Sequence, residues 1–237
     1  MRELRRDRRA PGAEGVVTGT GDAAGAWTGR GTATPTRVLL LRHGQSPLSV
    51  DRRYSGRGNP ALTEVGHAQA AAAAASVAAR YAGASVVVSS PLDRARSTAA
   101  PVASRLGVPV EVDDGFTETD FGGWEGLTFR EAADRDPELH RAWLGDTSVA
   151  PPEGESFDEV GVRVAAALRG LLERHAGATV VLVSHVTPIK TMLRIALDAG
   201  PPLLYRLHLD LACLSVVDFW DDGGASVRLF NDTSYLG

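Results

Sequence analysis

Three short runs of unbroken apolar residues punctuate the chain, at residues 38–41, 86–88 and 180–183, and each ends abruptly in polar or reactive groups. Runs this short, without polar alternation, predict strands buried on both faces. Between them the period changes. Residues 63–80 open on Thr63 as an N-cap and are dense in alanine, the strongest helix former. Residues 91–106 begin at Pro91 and stop at Gly107, a helix with proline in its first turn. Phe157, Val160, Val164, Leu168, Leu171 and Leu172 keep three-to-four spacing along a third helix that ends around Gly177. Strands alternating with helices predict an α/β fold, a three-layer α/β/α arrangement around a mostly parallel central sheet. Residues 214–220 and 226–230, joined by Asp221-Asp222-Gly223-Gly224, predict an antiparallel C-terminal hairpin. Residues 116–152 are the least regular, with short helices expected over 128–134 and 137–144, and read as a cap or lid rather than a second domain.

Composition sharpens this picture in a few places. Of the 237 residues 43% are hydrophobic, enough for a sizeable core. Residues 1–36 have no apolar periodicity and read as a disordered tail or former interdomain linker, leaving residues 37–237 as the folded domain. The glycines at 19, 21 and 25 do not make a dinucleotide fingerprint, because the third is one place late and no strand precedes them. Arg5, Arg6, Arg8 and Arg9 read as a solvated cluster. The net charge of −4 combines six Arg and four acids up to Thr36 with a body of net −6, so no nucleic-acid partner is expected for the folded domain. The lone cysteine, Cys213, lies in an apolar run, which excludes a disulfide framework and fits a reducing cytoplasm. No apolar run is long enough for a membrane span or a secretory signal, so neither membrane insertion nor secretion is expected.

The chemistry gathers where the strands end. Arg42-His43-Gly44 follows the first apolar run, Ser89-Ser90-Pro91-Leu92-Asp93-Arg94 the second and Ser184-His185 the third. In open α/β sheets ligands bind outside the carboxyl ends of the strands, so these segments are expected at one rim. Two guanidiniums and two imidazoles without clustered carboxylates suit a dianion, because the planar Arg fork matches phosphate oxygens. No His-x-x-x-His or Cys-x-x-Cys points to a metal, and no Gly-x-Ser-x-Gly to a serine hydrolase. His67, His140, His175 and His208 match no catalytic pattern, and His208 beside Tyr205 and Arg206 has a minor claim to the pocket.

Taken together, Leu41-Arg42-His43-Gly44-Gln45-Ser46, Tyr54-Ser55-Gly56, Leu62-Thr63-Glu64-Val65-Gly66, Ser90-Pro91-Leu92-Asp93-Arg94-Ala95, Glu118-Thr119-Asp120-Phe121-Gly122-Gly123-Trp124-Glu125-Gly126 and Val183-Ser184-His185 resemble the histidine phosphatase (phosphoglycerate mutase-like) superfamily over residues 37–237. The stretches at 49–56, 184–190 and 231–235 are most similar to the acid phosphatase domain of actinobacterial bifunctional ribonuclease H/acid phosphatase proteins. Nothing in residues 1–36 corresponds to the ribonuclease half.

This resemblance implies a phosphoglycerate mutase-like fold and a small phosphomonoester as substrate, with no metal and no cofactor. It makes His43 the nucleophile, which needs a neutral imidazole with a free lone pair. It has Arg42, Arg94 and His185 hold the phosphoryl oxygens, and Glu118 act as general acid and then base. Phe116 and Phe121 beside Glu118 offer desolvation that favours its protonated form. Gln45, Ser46, Ser55 and Gly56 are the further substrate-binding candidates. Leu48-Ser49 stands where mutases carry Trp-Asn, Phe121 where they carry Tyr, and their basic insert is missing. Water is therefore expected as acceptor, with α-ribazole 5′-phosphate, phosphoserine or sugar phosphates as substrates. An isomerase of the mutase type and a non-catalytic phospho-ligand module are the alternatives. Val186 and Pro188, where phosphatases of the family usually show glycine after the last His, leave the local backbone path open.

Overall fold

The computed structural model describes residues 34–237. The expected tail, its Arg5 to Arg9 cluster and the glycines at 19–25 lie outside the described residues, except that Thr36 already belongs to the first strand. Six strands form one sheet: β1 (Thr36–Arg42), β2 (Val86–Ser89), β3 (Val110–Val112), β4 (Thr179–Ser184), β5 (Leu214–Phe219) and β6 (Ala225–Asp232), in the order β3-β2-β4-β1-β5-β6. The first four run parallel, β5 lies antiparallel to β1, and β6 returns antiparallel to β5.

Alternate strand residues point to opposite faces, and the two cores follow from that period. Val38, Leu40, Val180 and Leu182 join Val164 and Leu168 of helix α6 (Phe157–Arg174) and Met192 of helix α7 (Val186–Ala196). Leu39, Leu41, Val181 and Val183 instead meet the alanines of α2 (Glu64–Arg80) and α3 (Asp93–Leu106). The expected three layers result. Thr63 caps α2 by accepting the Gly66 N–H, and Gly107 ends α3 at φ 69°, a left-handed turn that glycine adopts without steric cost.

The pattern missed two elements that matter. β3 is a three-residue edge strand with every residue exposed, so no apolar run marks it. Helix α7 follows His185 directly, and its Pro188 is harmless because the first turn of a helix has N–H groups without intrahelical partners. Val and Pro after the last His thus build a helix start. The irregular segment holds α4 (Phe129–Arg135) and α5 (Pro137–Trp143), packed with Tyr54 and Trp124 into a third, aromatic cluster. The remaining helix, α1 (Pro47–Val50), is a single turn shortly after Arg42-His43-Gly44. Among the described residues, no helix is long and apolar enough to cross a membrane.

Candidate active site

Strand register brings the candidate residues together. Arg42 pairs with Ser184 and Ser89 with Val183, so the next residues on three adjacent strands are His43, His185 and Ser90. Backbone bonds carry the pairing one step past the strands, from His43 N to Ser184 O at 3.0 Å and from Ser90 N to Val183 O at 3.0 Å. The rings of His43 and His185 lie 5.1 Å apart. Gly44 lets the chain after His43 pack against the start of α2: a Cβ there would fall 2.5 Å from the Gly66 carbonyl oxygen.

His43 is buried, and its Nδ1 lies 2.7 Å from the Gly44 carbonyl oxygen. A carbonyl only accepts, so Nδ1 carries the proton and Nε2 keeps its lone pair. Burial, then Arg42 and Arg94, hold its pKa well below the ordinary histidine range. His185 is wholly buried; its Nε2 meets the Ser90 hydroxyl at 2.7 Å, while Nδ1 has no partner among the described residues. Burial, then Arg94 and the charge of His43, lower its pKa in the same way. Both folded-state values lie below about 6.5, so the unfolded chain takes up protons first as the pH falls. The stability of keeping these rings neutral is present above about pH 6.5 and lost below it, by up to about 1.4 kcal/mol per pH unit per ring. Urea denaturation stepped from about pH 7.5 to about pH 5.5 is expected to show that decline, and a flat profile would refute neutral burial.

The two arginines are held by carbonyls. Arg42 donates to Leu209 O at 2.6 Å. Arg94, fully buried, donates to Gly58 O at 2.7 Å, Gly56 O at 2.9 Å and Ser55 O at 3.0 Å. The Nε of each is buried and unpartnered among the described residues. Desolvation lowers both pKa values, opposed at Arg94 by Glu118 and Glu125. Cationic N–H groups left without acceptors in a buried site are costly, and an anion with several oxygens would complete them.

Glu118 sits at the start of α7. One carboxyl oxygen accepts from Thr119 N at 2.8 Å and Thr187 N at 3.2 Å, the other from Val186 N at 3.0 Å. The helix N-terminus therefore positions it. The expected shielding by two phenyl rings takes a different form, because Phe116 packs into the core beneath the sheet and Phe121 against Tyr54. Arg163 fixes the backbone that carries Glu118, donating to Gly115 O at 3.0 Å and Thr117 O at 2.9 Å.

A cavity of about 920 Å³ has Arg42, His43, Ser46, Ser55 and Glu118 on its wall, whereas the fully buried Arg94 and His185 do not line it. The hydroxyls of Ser46 and Ser55 are buried and unpartnered among the described residues, as substrate-binding groups would be. Gln45 and Gly56 fall elsewhere. The Gln45 side chain accepts from the Thr63 hydroxyl at 2.8 Å, and the Gly56 N–H is bonded to Glu125. Both shape the site from behind. His208 lies at the cavity wall, exposed and 3.1 Å from Asp210, whereas His140 is buried against the Tyr54 hydroxyl. Lys190, one turn into α7, also reaches the cavity and donates to Leu204 O at 2.9 Å. It went unread because the helix after His185 was not anticipated; the helical period past Ser184-His185 was the available signal. The rest of the wall mixes aromatic side chains, among them Tyr54, Trp143 and Phe157, with leucines, Arg52, Arg53 and Asp210.

Comparison with known proteins agrees with this geometry. The family model described as "Histidine phosphatase superfamily (branch 1)" matches residues 38–233. The bifunctional protein Rv2228c of Mycobacterium tuberculosis is 59% identical over 221 residues, 93% of this chain and 60% of that protein. The chain thus spans about three-fifths of that relative's length. Phosphoserine phosphatase 1 of Hydrogenobacter thermophilus is 31% identical over 85% of this chain and 94% of its own. Among solved structures, the alpha-ribazole phosphatase of Shigella flexneri superposes with a TM-score of 0.74 at 28% identity, covering 83% of this chain and 96% of that one.

Proposed function

Because this chain belongs to the histidine phosphatase superfamily, we propose that it hydrolyses phosphomonoesters through a phosphohistidine on His43, without a metal ion or other cofactor. The observation that carries the reading is a neutral imidazole with a free nitrogen beside Arg42 and Arg94, each of which keeps a buried Nε without an acceptor among the described residues. In the first step Nε2 of His43 attacks phosphorus, the bond to the alcohol oxygen breaks, and Glu118 supplies the proton that the departing alkoxide takes. The Gly44 carbonyl stabilises the positive charge that develops on the ring through Nδ1–H. In the second step water attacks phosphorus, the N–P bond breaks and Glu118 takes the water proton. Arg42, Arg94 and His185 hold the phosphoryl oxygens throughout.

A cavity of about 920 Å³ is far larger than a phosphate needs, and the aromatic side chains on its wall support an alcohol half with a planar apolar surface. Among the candidate substrates this favours α-ribazole 5′-phosphate over phosphoserine and 3-phosphoglycerate. The low pKa of His43 supports an acid phosphatase, since the nucleophile stays unprotonated below neutral pH. The phosphatase domain runs from residue 36, where β1 begins, to residue 237. The buried free thiol of Cys213 fits a cytoplasmic enzyme. The test is phosphate release from α-ribazole phosphate, phosphoserine, 3-phosphoglycerate and p-nitrophenyl phosphate in the presence of EDTA. The highest kcat/KM among the biological esters is expected for α-ribazole phosphate. Abolition by EDTA would overturn the metal-free mechanism, and primer-dependent formation of 2-phosphoglycerate would favour a mutase.

A further inference from the structure

Two motifs take no part in the phosphoryl-transfer steps above, Tyr54-Ser55-Gly56 and Trp124-Glu125-Gly126, and they meet beneath Arg94. The Glu125 carboxylate accepts from Gly56 N at 3.0 Å with both oxygens and from Gly58 N at 2.9 Å with one. The carbonyls of residues 55, 56 and 58 in the same loop accept the three bonds from Arg94. One peptide unit takes part on both sides: its N–H, on Gly56, points to Glu125, and its carbonyl, on Ser55, points to Arg94. A carboxylate and a guanidinium at opposite ends of a peptide polarise it, and each bond strengthens the other.

We propose that Glu125 is a positioning residue for phosphoryl binding, acting through the loop at 55–58 to fix Arg94; this rests on the phosphatase reading. The loop spends three of the five N–H donors of Arg94, and its unpartnered Nε is left for the phosphoryl group. A fully buried guanidinium with that much freedom elsewhere would bind an oxyanion in several orientations, and only some suit in-line transfer. Glu125 also supplies negative charge near Arg94 without bonding it directly, which offsets part of the cost of burying a cation.

Local packing is built for this clamp. Trp124 is fully buried and its Nε1 donates to Asp136 at 2.7 Å, which anchors the residue before Glu125. Gly126 N donates to Tyr54 O at 2.9 Å and Tyr54 N to Leu127 O at 2.8 Å, so a backbone ladder sets Glu125 opposite the loop. The loop glycines are where the carboxylate presses. A Cβ on Gly56 would lie 2.0 Å from Thr119 O and 3.1 Å from a Glu125 oxygen, and one on Gly58 would lie 2.7 Å from the other oxygen.

The experiment is a double-mutant cycle on the full chain with Glu125→Gln, Arg94→Ala and the pair, read by calorimetric binding of inorganic phosphate and by p-nitrophenyl phosphate kinetics, with thermal melting as the fold control. Because the ladder at Tyr54 remains while an amide NH₂ replaces one oxygen that accepts from the loop, Glu125→Gln is expected to fold but to melt below wild type. Its phosphate Kd is expected to rise about 10-fold, in the range typical of a group that orients a ligand-binding residue. In the Arg94→Ala background the same change is expected to add less than about twofold, since positioning acts only through Arg94. If Glu125→Gln does not fold, Glu125→Asp, which keeps the charge one methylene short, replaces it in the cycle. Unchanged phosphate affinity in the Glu125 variant, or effects that multiply fully in the pair, would overturn the positioning role while leaving a wild type that hydrolyses esters. A wild type that neither binds phosphate nor hydrolyses esters would overturn the phosphatase reading along with it.

Discussion

Replacing His43 with alanine is expected to lower kcat for every phosphomonoester by about 10⁴-fold or more, the scale seen when a covalent nucleophile is removed. Binding is expected to survive. Arg42, Arg94 and His185 stay in place, each held by its own carbonyl or hydroxyl partner, so phosphate affinity should change little while turnover is lost. The fold should also persist, because among the described residues the one hydrogen bond of the His43 side chain is to its neighbour Gly44. Acid-quenched wild-type enzyme should carry an acid-labile phosphoryl group that His43→Ala lacks. Turnover at wild-type rate by folded His43→Ala would end the phosphohistidine mechanism.

The second large effect belongs to Glu118→Gln, expected to cost about 10²- to 10⁴-fold in kcat/KM for an alkyl phosphate, the usual worth of a positioned acid and base. p-Nitrophenyl phosphate should respond differently. Its leaving group departs without a proton, so phosphorylation of His43 stays fast while hydrolysis of the intermediate loses its base. A burst of nitrophenol followed by slow turnover is the expected signature, and equal losses on both substrates with no burst would contradict the two-role assignment. The variant should also be less stable, by about 1–3 kcal/mol, because an amide NH₂ would replace one of two oxygens that accept N–H groups from Thr119, Val186 and Thr187.

Much of this was legible in the sequence for a simple reason. A strand buried on both faces is apolar along most of its length, and the change to Arg42-His43, Ser89-Ser90 and Ser184-His185 marks its carboxyl end, where polar groups gather. Helix ends were legible where a cap has a side-chain signature, as at Thr63 and Gly107. β3 was not, since an exposed edge strand has no hydrophobic pattern to read, and α7 was hidden because Pro188 looks like a breaker until it is placed in the first turn. The glycines were legible as motif members but not by role. Gly56 resembles a ligand-contacting residue in the sequence, and only its backbone partners, Glu125 and Arg94, show that it shapes the site from behind.

The sequence by itself determined the layers and pointed to the family and to the five residues proposed for the phosphoryl site, because apolar period and motif order are local properties of the chain. Tertiary structure alone decided which nitrogen of His43 is free, what holds Glu118, that Lys190 and the aromatic side chains face the cavity, and that Glu125 grips the loop beneath Arg94. Apart from the His43 tautomer, which the adjacent Gly44 carbonyl sets, each of these depends on a hydrogen bond or contact between segments far apart in the chain, such as the 68 residues from Glu118 to Val186. Sheet register, rather than any local preference, sets those distances.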